Sequence, residues 1–182
     1  QNNAPCSITE TGYRCDCHLG YRGVHCEGTT PLGEKLSFDG EGFLEFDKSF
    51  LGQTQDKQTV KFSIRTTQRD GLMFYQGQSS PVLGSGQSKD YVSVGLKDGY
   101  VEYSYDLGSG PAVLRSLQRV NDGYGHVIEV TRLGRQGTLK IDNKADTVVE
   151  GTSQGILQML NVGSNLFIGG VSSVETITSK RY

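Results

Sequence analysis

From Leu32 onward the chain alternates apolar and polar positions with a period of two, in short runs broken by Gly, Asp and Asn. Val60, Phe62 and Ile64 alternate with Lys61, Ser63 and Arg65. Val92, Val94 and Leu96 share one face, and Val101, Tyr103, Tyr105 and Leu107 share another. His126, Ile128 and Val130 alternate with Val127, Glu129 and Thr131, and the pattern continues through Leu139, Ile141, Leu166 and Ile168. A period of two puts successive side chains on opposite faces of a strand, and no stretch holds a 3.6-residue period. Many short strands separated by turn residues predict an all-β sandwich.

Asp98-Gly99 supplies the positive φ angles of a two-residue type I′ hairpin. That turn fixes a register in which Leu96 faces Val101, Val94 faces Tyr103 and Val92 faces Tyr105. Apolar meets apolar at each pair, as cross-strand packing requires. One step further, Asp90 faces Leu107 at the open end. A second hairpin is expected around Gly134-Arg-Gln-Gly137.

All four cysteines, Cys6, Cys15, Cys17 and Cys26, fall in the first 26 residues of the 182. A cysteine-dense stub too short for its own core, followed by a long cysteine-free stretch, divides the chain in two and points outside the cytosol, where disulfides persist. His18 and His25 lie among the thiols, but the spacing fits no common structural zinc pattern. The formal net charge of −2 gives no basic excess for nucleic acid. No apolar run is long enough to span a membrane. The polar N-terminus has no signal-peptide core, so a secreted protein with this start is expected to be a fragment. No Asn-x-Ser/Thr sequon occurs.

The stub resembles the second half of an EGF-like module, on Tyr13-Arg-Cys-Asp-Cys17 and the Gly-Tyr-Arg-Gly turn at 20–23. The resemblance implies a Cys17–Cys26 disulfide. It leaves Cys6 and Cys15 without their family partners, either orphaned or bonded to each other. The remainder resembles a laminin G-like domain of basement-membrane proteoglycans. The carriers are Leu36-Ser-Phe-Asp-Gly-Glu-Gly-Phe-Leu-Glu-Phe46, the stretch from Ile64 to Phe74, Asp90-Tyr-Val-Ser-Val-Gly-Leu96, Val101 to Gly110, Asn121-Asp-Gly123 and Leu166-Phe-Ile-Gly-Gly170. The implied fold is a jelly-roll sandwich of two antiparallel sheets. The implied organisation is a half EGF-like module at 1–28, a linker at 29–35, and a laminin G-like domain at 36–182 cut short before its last strand.

The sequence departs from that family in two places. Gly123-Tyr-Gly-His126 stands where the family has Gly-x-Trp-His, and the chain has no Trp, so Tyr124 is the only substitute anchor nearby. The closing strand and its cysteine are also expected to be missing. That would leave an open ladder beside the apolar strand at Leu166–Ile168 and lower the stability.

By the same resemblance, calcium would sit at a loop rim, held by Asp90, the Leu107 carbonyl and a second side chain near 157–159. Only Leu157, Gln158 and Met159 stand there, so the implied calcium site is weak. Arg115, Arg119, Arg132, Arg135 and Lys140 lie on or beside neighbouring hairpins and are candidates for glycan binding, with Glu129, Asp142 and Asp146 interleaved. Ser85 and Ser109 each precede Gly, as glycosaminoglycan acceptors do. Gly151-Thr-Ser-Gln-Gly155 matches a nucleophile elbow by letter, but no His or helix pattern follows it. No catalytic residue is expected.

The expected function is a non-catalytic extracellular-matrix adhesion module. Its implied partners are cell-surface receptors of the dystroglycan or integrin type, heparin-like glycans or other matrix proteins. The alternatives are a secreted jelly-roll carbohydrate-active enzyme, which needs paired carboxylates absent as a motif here, and a synaptic ligand module of the neurexin or pikachurin type.

Overall fold

The computed structural model describes residues 4–9, 12–15, 21–29, 35–40, 42–48, 54–78 and 90–171. The chain falls into two compact units, residues 1–39 and 40–182, so the boundary lies between Asp39 and Gly40.

The first unit is held by short ladders and cysteine. Strand β1 (Cys6–Thr9) pairs antiparallel with β2 (Gly12–Cys15), and β3 (Tyr21–Arg22) with β4 (Gly28–Thr29). Cys6 stands opposite Cys15 in the β1–β2 register, and the two form a disulfide. Of the two alternatives left open by the sequence, they are therefore bonded to each other. A disulfide also removes both thiolates from any zinc site. Cys26 is fully buried and half of a second disulfide. Its expected partner Cys17, like His18, lies outside the described residues. The ring of His25 stacks on Tyr13 with centroids 5.3 Å apart.

The second unit is the sandwich. Its strands run β5 (Leu44–Phe46), β6 (Thr54–Gln55), β7 (Lys57–Arg65), β8 (Gly71–Gly77), β9 (Tyr91–Lys97), β10 (Tyr100–Asp106), β11 (Ala112–Arg119), β12 (Gly125–Leu133) and β13 (Gln136–Ile141). A 3-10 turn at Ala145–Thr147 precedes β14 (Val149–Thr152), β15 (Leu160–Asn161) and β16 (Leu166–Ile168). One sheet has the order β11-β10-β9-β8-β16-β5, the other β14-β13-β12-β7, and β6 pairs with β15 in a separate two-stranded ladder. All pairings are antiparallel.

The β9–β10 hairpin has the register its turn dictates: Leu96 faces Val101, Val94 faces Tyr103 and Val92 faces Tyr105. Asp98 and Gly99 take φ of 55° and 83° to make the turn. The second hairpin turns at Gly134-Arg135, with Leu133 paired to Gln136. The alternate residues Val92, Val94, Tyr103 and Tyr105 meet Ile128, Val130, Leu139 and Ile141 of the other sheet in one core. Each such aliphatic side chain, fully buried, contributes about 1.5–3 kcal/mol. A smaller cluster of Tyr75, Tyr91 and Phe167 covers the other face of the six-stranded sheet.

One alternative is settled and one expectation corrected. Tyr124 is 74% exposed, so it does not stand in for the absent Trp as a core anchor; it follows a turn whose Asp122 side chain caps its backbone N–H at 2.9 Å. Strand β16 is not an open edge, because it pairs with β8 on one side and β5 on the other. The early segment at Leu44–Phe46 fills the place beside it. Residues 172–182 lie outside the described residues, and so does the expectation that the closing strand is missing.

Candidate functional site: the Asp90 rim

The last pair of the β9–β10 ladder is Tyr91 with Asp106. Asp90 and Leu107 are the next residue on each strand, so their backbones meet at one end of the sandwich. Asp90 is 7% exposed, and its Oδ2 accepts the backbone N–H of Asn161 at 2.8 Å. The carboxylate of Asp106, 2% exposed, accepts the N–H groups of Gly108 and Gly110 at 2.8 and 3.0 Å and shapes the loop after β10. Burial pushes the Asp90 carboxyl above its ordinary range, and the charge of Asp106 adds to this, while the Asn161 bonds oppose it. A buried carboxylate with a second one near it is short of positive charge.

The polar residue brought to Asp90 is Asn161, not one of 157–159. The β6–β15 ladder pairs Leu160 with Gln55 and Asn161 with Thr54, and this long-range pairing delivers Asn161 to Asp90. The Asn161 side chain also hydrogen-bonds the Asp90 carboxylate. Gln158 is exposed and its carbonyl is occupied by Arg132. The local signal for Asn161 was slight: a polar residue between Leu160 and Val162, both buried. Asp90, Asn161 and the backbone at Leu107 offer hard oxygen donors, which suits calcium. Asp90 is the one carboxylate in this set, and among the described residues no group of three or more His, Cys, Asp or Glu is placed to hold a metal ion.

The basic candidates divide. Arg132 is corrected outright: it is 1% exposed, and its guanidinium donates to the carbonyls of Gln55, Asp56, Gly134 and Gln158. Val130 and Ile128 share its face of β12, so the strand's own alternation turns it inward. Arg135 donates to the carbonyls of Ser153 and Gly155, gathering the 153–155 loop. Arg115 and Arg119 stand at the other end of β10, with their guanidiniums 4.5 and 5.4 Å from the centre of the Tyr100 ring. Arg115 also lies 3.4 Å from Glu102 and 3.6 Å from Asp98. Lys140 is on the outer face of the four-stranded sheet, opposite Glu129. The five residues therefore form no single patch.

Ser153 is 2% exposed and its Oγ has no hydrogen-bond partner. The residues after it, 154–159, form no helix, so the strand–turn–helix geometry of a nucleophile elbow is not present there. Ser109 is exposed beside Gly155, and Ser85 lies outside the described residues. His126 is placed between two carboxylates, Nδ1 at 2.9 Å from Asp142 and Nε2 at 3.1 Å from Asp122.

The antiparallel sandwich is that of a laminin G-type module, and the sequence agrees: the laminin G domain family matches residues 64–182. The chain belongs to that family. It is 41% identical over 170 residues to the basement membrane proteoglycan of Caenorhabditis elegans, covering 92% of this chain and 5% of that protein. It is 32% identical over 205 residues to the basement membrane-specific heparan sulfate proteoglycan core protein of Mus musculus, covering 100% of this chain and again 5% of the relative. The chain thus spans about a twentieth of the length of both relatives. The LG1-3 region of the laminin alpha2 chain superposes with a TM-score of 0.66 at 27% identity, over 80% of this chain and 27% of that one.

Proposed function

We propose that the chain is a non-catalytic adhesion module of the extracellular matrix, binding a cell-surface receptor or a matrix glycan through the Asp90 rim. The observation that carries this reading is the convergence of Asp90 and Asn161 at one end of a laminin G fold. The two matched relatives are named as basement membrane proteoglycans, and the cysteine-bonded stub suits the same oxidising location. A weak calcium ion at Asp90, Asn161 and the Leu107 carbonyl gives the rim a positive centre for an anionic partner. For glycans, Arg115 and Arg119 around Tyr100 form a second, separate contact at the opposite end of β10. A dystroglycan-type or integrin-type ectodomain is the receptor class to try first, with heparin as the glycan.

The test is a binding panel of heparin and both receptor classes, in calcium and in chelator. Receptor binding that is lost in chelator and lost in Asp90→Ala supports the rim. Heparin binding that survives chelator and falls in Arg115→Ala/Arg119→Ala assigns the glycan to the Tyr100 end. Receptor binding indifferent to both chelator and Asp90→Ala overturns the rim reading.

A further inference from the structure

Arg132 is the most deeply placed cation among the described residues, at 1% exposure. A buried guanidinium is costly unless its N–H groups are met. No carboxylate among the described residues lies within ion-pair distance of it. Its partners are backbone carbonyls instead: Nη1 donates to Gly134 at 2.9 Å, Gln158 at 3.2 Å and Asp56 at 3.3 Å, and Nη2 to Gln55 at 2.9 Å. The Nε group is left without a partner.

These four carbonyls come from three separate stretches. Gln55 ends β6 and Asp56 follows it, Gly134 is in the turn between β12 and β13, and Gln158 leads into β15. One planar fork therefore grips the end of β6 and the segment entering β15 and ties them to the β12–β13 hairpin. That ladder has only two residue pairs, Leu160 with Gln55 and Asn161 with Thr54. Two pairs are too few to hold a ladder in place unaided. Asn161, at its end, is the residue that meets Asp90.

We infer that Arg132 is the positioning residue of the Asp90 rim, its guanidinium fixing the β6–β15 ladder and thereby the place of Asn161 relative to Asp90. The functional weight of this inference rests on the calcium reading of the rim. Arg132 touches no metal ligand side chain and acts through the backbone. Its positive charge also falls on Asp90. Charge alone would disfavour a cation, so deleting Arg132 would tighten calcium binding if charge were its main effect. Positioning predicts the opposite sign. Lysine keeps the charge but lacks the planar fork, so Arg132→Lys separates the two effects further.

The experiment compares Arg132→Met and Arg132→Lys with the parent chain by calcium calorimetry and by amide hydrogen exchange in chelator. Calcium affinity should fall roughly 10–100-fold in both variants, the range typical of residues that orient metal ligands. Protection of the Asn161 amide should drop in both, while that of Ile128 and Leu139 in the core persists. Tighter calcium binding in Arg132→Met, or parent-like affinity and Asn161 protection in Arg132→Lys, overturns the inference. If Arg132→Met does not fold, Arg132→Lys decides alone. If the parent chain shows no calcium response, the calcium reading has failed, and the Asn161 exchange rate then decides the role of Arg132 by itself.

Discussion

Asp90 and Asn161 are 71 positions apart in the chain and 2.8 Å apart in space, the carboxylate accepting the backbone amide. Burial, then the Asp106 charge, holds the Asp90 carboxyl above its ordinary range. A carboxyl raised in the folded state favours folding when protonated, and that contribution is lost as pH rises through its folded value. At neutral pH the metal-free protein therefore carries a destabilising charge there. Asp90→Asn keeps an acceptor oxygen and removes the charge. Its melting temperature in chelator should rise by about 2 °C or more, and calcium should no longer raise it. A lower melting temperature in chelator would show that the Asp90 charge is stabilising.

His126 gives the opposite end of the domain a pH dependence. Burial pulls its imidazole down, but the hydrogen bonds its ring N–H groups donate to Asp142 and Asp122 outweigh this and hold it above its ordinary value. Stability from the charged ring is complete below the unfolded value of about 6.5 and is lost as pH rises through the higher folded value. On the acid side, Asp122 and Asp142 are both held below the ordinary carboxylate range, so their contribution goes as pH falls through those depressed values. The triad is worth most between the two limits. Thermal melts from about pH 5.5 to about pH 8 should show the parent losing stability relative to His126→Gln across the upper half. A difference constant with pH would refute the charged-ring account.

Gly137 is fixed by close approach. A Cβ there would lie 2.6 Å from Cε1 of Tyr105. The Tyr105 ring has little room to yield: it is fully buried, and its hydroxyl donates to the carbonyls of Arg135 and Gly151 at 2.5 and 3.1 Å. Burial pushes that phenol up to about 12, so it stays a donor at physiological pH. Gly137→Ala should cost about 1–3 kcal/mol, as overpacking does, read from urea midpoints. Tyr105→Phe/Gly137→Ala should cost less than the sum of the two single changes, because loss of the hydroxyl removes one close contact and frees the ring from its two carbonyl bonds so that it can shift away. Full additivity would mean that the clash is relieved elsewhere.

For the stub, non-reducing peptide mapping should recover Cys6 joined to Cys15 and Cys26 in a second bridge, with Cys17 as the expected other end. The Cys6–Cys15 loop spans a separation of 9 residues, and closing a loop of this order is worth about 2–3 kcal/mol. Recovery of Cys6 with Cys17 would overturn the assignment.

The sandwich was legible because its information is local. Alternation marked β7, β9, β10, β12 and β13, and Asp98-Gly99 fixed a hairpin register without help from the rest of the chain. Arg132 was legible too, had the parity of Ile128 and Val130 been carried two residues further. A charged side chain was read as exposed because burying a guanidinium usually costs too much; four backbone carbonyls offset that cost here, and nothing local announces them. Asn161 was missed for a similar reason. Its place depends on β6, more than a hundred residues earlier, and a two-pair ladder leaves almost no periodic trace. The open edge expected at β16 fails because the strand beside it, Leu44–Phe46, comes from more than a hundred residues earlier in the chain.

The position of β16 between β5 and β8 sets the order in which this domain can be completed. Asn165, just before β16, reaches back 120 residues to Glu45 with its side-chain amide. The β9–β10 and β12–β13 hairpins close over a few residues each and can form early. The six-stranded sheet, by contrast, stays divided until Leu166–Ile168 is available to join Leu44–Phe46 to Phe74–Tyr75. Such long-range closure is slow because the loop entropy is lost before the contacts reward it. During synthesis, β5 and β8 therefore wait with unpaired edges while most of the domain is made, and this interval is when the chain most needs protection from pairing with a neighbour.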